Sequence, residues 1–167
     1  MRKAPSVSPF PAESHDHDMC VAEALAHAEE VCARRGLRLT RIRRRVLEII
    51  WSSHKPVGAY DILEELGRDG KRPAPPTVYR ALDFLIEAWL VHRLDSLHAF
   101  IGCSDPSHAH AGKFLICSQC RSVAELDDPE IARLISNTAR AAAFEPHSLV
   151  LEIQGLCDLC RDESTRG

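Results

Sequence analysis

The chain has 167 residues, 45% of them hydrophobic and 27% charged, and a formal net charge of −3. A chain of this length buries one ordinary core or two small ones, which argues against a large enzyme. No stretch approaches the roughly 20 apolar residues of a membrane span, and residues 1–14 hold no apolar run ahead of a cleavage site, so a cytoplasmic protein with no membrane partner is expected.

Residues 1–18 carry Pro5, Ser6, Ser8 and Pro9 and a His15-Asp16-His17-Asp18 run, without helical or strand period, and read as a flexible tail. Val21, Leu25, Ala28 and Cys32 then recur at helical spacing over 19–35, and Gly36 suits the left-handed position that ends a helix. Thr40 is placed to cap a second helix with Ile42, Val46, Leu47 and Ile50 on one face, broken by Pro56 and Gly58. A short third helix is predicted over 59–66. Beyond a loop rich in Gly, Lys, Arg and Pro at 67–75, a fourth runs over about 76–88, with Val78, Leu82, Leu85 and Ile86 inward and Arg80, Asp83 and Glu87 outward. Two apolar runs, 90–94 and 99–103, flank Asp95-Ser96-Leu97-His98 as the strands of a hairpin with a four-residue loop. Helices followed by a hairpin in this order predict a winged helix over 19–103.

The character then changes. Residues 113–117, 122–126 and 148–153 read as strands, and Asp128-Pro129-Glu130 opens a helix reaching 143. These make a small α/β domain over 113–167, with 104–112 as the hinge. The fold class expected is α+β: a winged-helix domain followed by a smaller domain.

Seven cysteines in a chain expected to be cytosolic point to metal ligands or reduced core thiols. Cys117-Ser-Gln-Cys120 and Cys157-Asp-Leu-Cys160 are two C-x-x-C pairs with 36 residues between them. Each pair puts two sulfurs on one turn, and two turns together give the tetrahedral set that zinc prefers. Four thiolates leave no open coordination position, so the role assigned is a structural zinc. Redox or core C-x-x-C pairs are the bland alternative, but neither pair joins a strand to a helix in thioredoxin fashion. A zinc deaminase is the enzymatic one, suggested by His27-Ala28-Glu29; it is opposed by Ile116 where those enzymes carry Pro, and no enzymatic activity is expected. Cys20 and Cys32, about 18 Å apart along one helix, cannot pair and are read as buried thiols.

Arg34, Arg35, Arg38, Arg41, Arg43, Arg44 and Arg45 put seven guanidinium groups into twelve residues, enough to engage several phosphates. Residues 20–95 carry 13 Lys/Arg against 11 Asp/Glu and residues 96–167 carry 6 against 10, so a DNA-binding face belongs in the first half. Pro75-Pro76-Thr77-Val78-Tyr79-Arg80-Ala81-Leu82-Asp83-Phe84-Leu85 resembles the ferric uptake regulator family, and in this form its zinc uptake regulator branch. The resemblance runs from about Cys20 to Cys160 and includes Arg38-Leu39-Thr40, Ala59-Tyr60-Asp61 and the paired C-x-x-C clip. It implies a homodimer, through the C-terminal domain, on double-stranded DNA with a palindromic operator. Arg80 would read a base, and Tyr60, Thr77 and Tyr79 would contact base edges or phosphates. Without the resemblance, Tyr79 reads equally as a half-buried packing residue.

The resemblance further implies a sensory zinc held by His92 on the first wing strand, Cys103 at the end of the second, His110 in the hinge and Glu125 in the C-terminal domain. That gives two zinc ions per chain, one structural and one regulatory. His108-Ala109-His110 offers two imidazoles, and either fits. A thiolate in the set favours zinc over the iron, manganese or peroxide sensing of other members, which stays the alternative. The chain departs from the family in lacking a His-His-Asp-His cluster before Cys117 and in having Leu149 where many relatives have a ligand His, so a third family site is not implied. His147 is read as surface. The function expected is a zinc-responsive repressor of zinc uptake genes.

Overall fold

In the computed structural model the described residues are 6–7, 10, 17–53, 55–68, 70, 73–107, 112–147 and 149–164. They fall into two compact units: residues 12–109, and residues 110–167 together with 1–11.

The larger unit opens with α1 (His17–Arg34), two residues earlier than the periodicity indicates, followed by α2 (Arg41–Trp51). Gly36, at φ +63°, ends α1, with the Leu37 N–H bonded back to the Cys32 carbonyl at 2.8 Å. Thr40 stands at the N-cap of α2 but its hydroxyl makes no capping hydrogen bond; its carbonyl takes the Arg44 N–H at 2.9 Å. Then come β2 (Val57–Gly58), α3 (Ala59–Arg68), α4 (Pro75–Glu87), β3 (Val91–Leu94) and β4 (Ala99–Gly102). At the start of α3 the Asp61 carboxylate reaches back to the Gly58 N–H at 3.2 Å, the side-chain-to-backbone half of a capping box. The three strands form a sheet in the order β2-β4-β3, antiparallel throughout, with His92 opposite Ile101 and Val91 opposite Gly102. The hairpin loop is a 3-10 turn, Asp95–Leu97, closed by His98 at φ 48°. Its two-residue partner β2 is too short for alternation to reveal.

The core of this unit joins Ala28 and Val31 of α1, Val46, Leu47 and Ile50 of α2, Ile62 and Leu63 of α3, and Val78, Leu82 and Leu85 of α4. Burial of such side chains contributes about 1.5–3 kcal/mol each, which holds the inner face of α4 against the other three helices. Ile86, expected inward, is only partly buried at the edge of this cluster. A Cβ on Gly102 would fall inside van der Waals contact with the Trp51 ring, so the end of β4 lies flush on α2.

The smaller unit contains β1 (Ser6–Val7), β5 (Gly112–Cys117), β6 (Val123–Asp127), α5 (Pro129–Ala141), β7 (Val150–Gly155) and α6 (Asp158–Ser164). Its sheet order is β1-β6-β5-β7, with β5 antiparallel to β6 and parallel to β7. Residues 6–7 lie in what the sequence marks as a flexible tail. Here they pair with Leu126 and Asp127, satisfying the free edge of β6, and a two-residue strand leaves no periodic trace. Phe114 and Ile116 of β5 and Val123, Ala124 and Leu126 of β6 are buried. Asp128 caps α5, accepting the Glu130 N–H at 2.8 Å. No described residue of α5 is buried, and Leu134, Phe144, Val150, Ile153, Leu156 and Leu159 are all exposed.

Candidate metal centres and nucleic-acid interface

Two tight turns and a helix start assemble the four sulfurs of the smaller unit. After β5, the chain reverses through Arg121 at φ 63°, with Arg121 N–H on the Cys117 carbonyl at 3.0 Å and Cys117 N–H on the Ser122 carbonyl at 2.9 Å. The turn is tied to the end of β7 by the Ser118 N–H and hydroxyl, both on the Gly155 carbonyl, at 2.8 and 3.0 Å. Cys157 follows β7, and Cys160 lies in the first turn of α6, a helix that the sequence reading leaves out because its seven residues show no usable period. Register does the rest: Cys117 pairs with Gly155, two residues before Cys157.

The sulfurs of Cys117, Cys120, Cys157 and Cys160 lie within 4.8 Å of one another, and Cys120 Sγ is 3.7 Å from Cys157 Sγ. Zinc–sulfur bonds of about 2.3 Å at tetrahedral angles require sulfur separations of about 3.8 Å, so the donor set fits zinc in type, number and spacing. Burial opposes the Cys117 thiolate, but N–H groups of Cys157, Cys120 and Gln119 outweigh it and bring Cys117 down to about 6. The hydrogen bond with the Ser122 hydroxyl, at 3.3 Å, lowers Cys120. Burial and the other three thiols push Cys160 up to about 12. Without a cation the four cannot all ionise, since each thiolate raises the cost of the next. Phe10 packs against the cluster, a neighbour that the reading of residues 1–18 as tail does not foresee.

The second set of donors begins on the wing. His92 of β3 and Cys103, the residue after β4, hold a ring nitrogen and a sulfur within 4.8 Å. Strand pairing accounts for this: the Cys103 N–H bonds the Leu90 carbonyl at 3.0 Å, which sets Cys103 beside the start of β3. Cys103 is 3% exposed and His92 Nε2 is buried, so the pair is screened from bulk water. Glu125 is half-buried in the middle of β6, opposite Phe114, in the other unit. His110, like its rival His108, lies outside the described residues.

On α4, Val78, Ala81, Leu82 and Leu85 face the core and leave Thr77, Tyr79 and Arg80 exposed along one side. Tyr79 is 44% exposed and Tyr60, at the start of α3, 77%. A helix presenting a guanidinium, a phenol and a hydroxyl to solvent has the donors needed to meet base edges and phosphates. The arginine cluster is less uniform than the sequence suggests. Arg35 donates to the Ala88 carbonyl at 2.8 Å and stacks on Trp89, and Arg43 donates to the Arg38 carbonyl at 2.6 Å and lies over Phe84. Arg44 pairs with Glu29 at 2.7 Å, Arg45 with Glu48 at 3.1 Å, and Arg34 with Glu30 at 3.8 Å. Glu29, the carboxylate of the H-x-E run, is thus engaged by an arginine on α2.

The family model of the ferric uptake regulator family matches residues 34–154. The chain belongs to that family. Among curated relatives of the family, the zinc uptake regulation protein of Escherichia coli K12 is 36% identical over 141 residues, covering 83% of this chain and 81% of that protein. The protein of the same name from Mycobacterium tuberculosis is 31% identical over 132 residues, covering 75% and 96%. A zinc uptake regulator solved with zinc and DNA superposes with a TM-score of 0.82 at 34% identity, over 87% of this chain and 97% of that one. The holo form of a protein designated XcZur gives 0.79 at 43% identity, over 84% and 98%. A peroxide-responsive repressor of Staphylococcus aureus is more distant, at 25% identity over 154 residues. Family membership makes the architecture that of a transcription regulator, with a helical unit carrying a small three-stranded sheet and a second α/β unit.

Cys32 is buried at 2% exposure, and burial raises its thiol, in keeping with the buried thiol expected there. Cys20 differs: it is only half-buried and lines an open cleft.

Proposed function

We propose that this member of the family is a cytoplasmic, zinc-responsive transcriptional repressor that binds a palindromic operator as a homodimer and carries two zinc ions per chain. In this reading Cys117, Cys120, Cys157 and Cys160 hold a structural zinc, and His92, Cys103, His110 and Glu125 a regulatory one. Zinc supplies a centre that holds its donors at fixed tetrahedral angles. His92 and Cys103 anchor the wing end of the regulatory set, and His110 and Glu125 contribute from the hinge and β6. Arg80 reads a base through its paired N–H donors, a geometry that suits guanine, with Tyr60, Thr77 and Tyr79 on neighbouring edges or phosphates.

The observation that carries the reading is the placing of a nitrogen and a sulfur donor within 4.8 Å on the hairpin that follows an exposed Thr77-Tyr79-Arg80 face. The sulfur favours zinc over harder ions. Two relatives bear on the same point: one was solved with zinc and DNA, and the other, XcZur, gives 0.79 in its holo and 0.51 in its apo form against this one chain. The apo and holo structures of XcZur thus differ in conformation. By linkage, a regulator whose DNA-binding form holds zinc more tightly must bind zinc more tightly on DNA.

The test uses operator fragments selected from a random DNA pool by the zinc-loaded protein, followed by mobility shift against buffered zinc. Wild type is expected to gain operator affinity by about 10-fold or more, about 1.4 kcal/mol or more, on zinc addition. Cys103→Ser is expected to remain a folded dimer and gain none. A full zinc response in that variant overturns the regulatory assignment.

A further inference from the structure

Residues 1–11, though first in the chain, group with the smaller unit, from which residues 12–109 separate them in sequence. β1 runs antiparallel to β6, with Ser6 opposite Asp127 and Val7 opposite Leu126. Three residues beyond Val7, Phe10 packs against the cluster of Cys117, Cys157 and Cys160, which Cys120 also borders.

We propose that this N-terminal segment is a strap whose Phe10 seals the four-cysteine clip against competing ligands and slows exchange of its zinc. This role rests on the reading that the clip holds zinc.

Register accounts for the reach. The chain leaving Val7 runs against β6, toward its start at Val123, and Val123 stands three residues after Cys120. Leu126 to Val123 is about 10 Å of strand, and Phe10 is as many residues beyond Val7. Pairing with β6 therefore carries the aromatic side chain to the clip end of the sheet. The pairing has its own driving force, because the outer side of β6 would otherwise present unpaired N–H and C=O groups where β1 now lies.

The chemistry of release makes such a cover effective. Zinc leaves four thiolates when a competing donor reaches the ion or an electrophile takes a sulfur, and either needs a path to the cluster. Cys117, Cys157 and Cys160 are buried and Cys120 is half-buried, so the sulfurs have little open surface. A phenyl ring packed on them offers no donor to the metal, excludes water and makes favourable contacts with sulfur. The sequence suits docking as well. Phe10 is the single aromatic residue among positions 1–18, and it precedes Pro11. A proline restrains the residue before it to extended backbone, so Phe10 has fewer conformations to lose on binding. A regulator that keeps one zinc and exchanges another needs the two to leave at different rates, and a cover on the clip lengthens the stay of the ion meant to remain.

The test follows zinc leaving the full chain for an excess of a chromogenic chelator, in a Cys103→Ser background that leaves the clip as the site read. Phe10→Ser, and a variant lacking residues 2–11, are expected to release zinc about 10-fold faster or more, whereas Phe10→Leu keeps an apolar cover and a rate close to that of Phe10. Hydrogen exchange is read alongside: the amides of 123–127 are expected to exchange faster without residues 2–11, and those of 114–116 to stay protected in every variant. A Phe10→Ser rate equal to that of the full chain overturns the seal, as does a Phe10→Leu rate equal to that of Phe10→Ser. Lost protection at 114–116 in Phe10→Ser traces faster release to a loosened sheet and also overturns it. Failure of the clip reading shows separately, as no zinc in the full chain by metal analysis before chelator is added, and overturns both.

Discussion

At the scale of single residues, the four clip cysteines are not equivalent. Cys117 is lowered to about 6, while Cys160 is raised to about 12 by burial and by its neighbours. At pH 7 the metal-free clip therefore keeps the Cys160 proton, and zinc must displace it. Reloading apo-protein with zinc is expected to release protons and to weaken steadily as pH falls, because protons compete for thiolates. Calorimetry in buffers of different ionisation enthalpy reads the proton count, and a count of zero speaks against thiolate ligation. Gly102 is a second sensitive position: with Trp51 lying against it, Gly102→Ala is expected to cost about 1–3 kcal/mol through overpacking and to shift Cys103, which follows it. Denaturant midpoint measures the first effect and zinc affinity the second.

At the scale of elements, the arginine run at and before α2 is divided between side chains held by the fold and side chains left exposed. Arg43 and Arg35 serve as stacking and capping groups, and Arg44 and Arg45 pair with carboxylates. Arg38 and Arg41 are exposed, and neither side chain takes part in these stacks or ion pairs. Arg38→Ala with Arg41→Ala is therefore expected to leave thermal stability within about 0.5 kcal/mol and to reduce the salt slope of DNA binding by about one for each phosphate no longer neutralised. Arg35→Ala is expected to do the opposite, lowering stability with the slope nearly unchanged. Titrations of binding against salt distinguish the two, and equal slopes for all variants would remove Arg38 and Arg41 from the interface. The Arg run shows up in composition; its division does not, because stacking on Trp89 and Phe84 depends on where α4 ends.

At the scale of the molecule, the smaller unit carries more apolar surface than its sheet covers. Leu134 is 68% exposed, Phe144 64% and Ile153 44%, on an amphipathic helix with no buried described residue, just beyond it, and on an edge strand. Large apolar side chains left exposed in this number on so small a unit are candidates for burial against a second subunit. Leu134→Asp with Ile153→Asp is expected to convert the dimer to monomer while the clip still holds zinc, and sedimentation velocity with metal analysis checks both. A variant that remains a dimer places the interface elsewhere.

Much of this architecture was legible in the chain itself. Periodicity located the helices because burial forces apolar residues to one face, and the spacing of two C-x-x-C pairs named a tetrahedral thiolate site because two turns suffice to build it. The T-V-Y-R run marked the exposed helix through resemblance. Strands of two residues, β1 and β2, and the seven-residue α6 left no such trace, since they exist only where a neighbouring edge or a ligand turn completes them. Only the tertiary structure set His92 beside Cys103, through the register of β3 and β4, and only it opened a cleft lined both by side chains of α1 and by Cys103. Sequence spacing fixes what one element presents; which elements meet is decided by packing, and no local pattern encodes it.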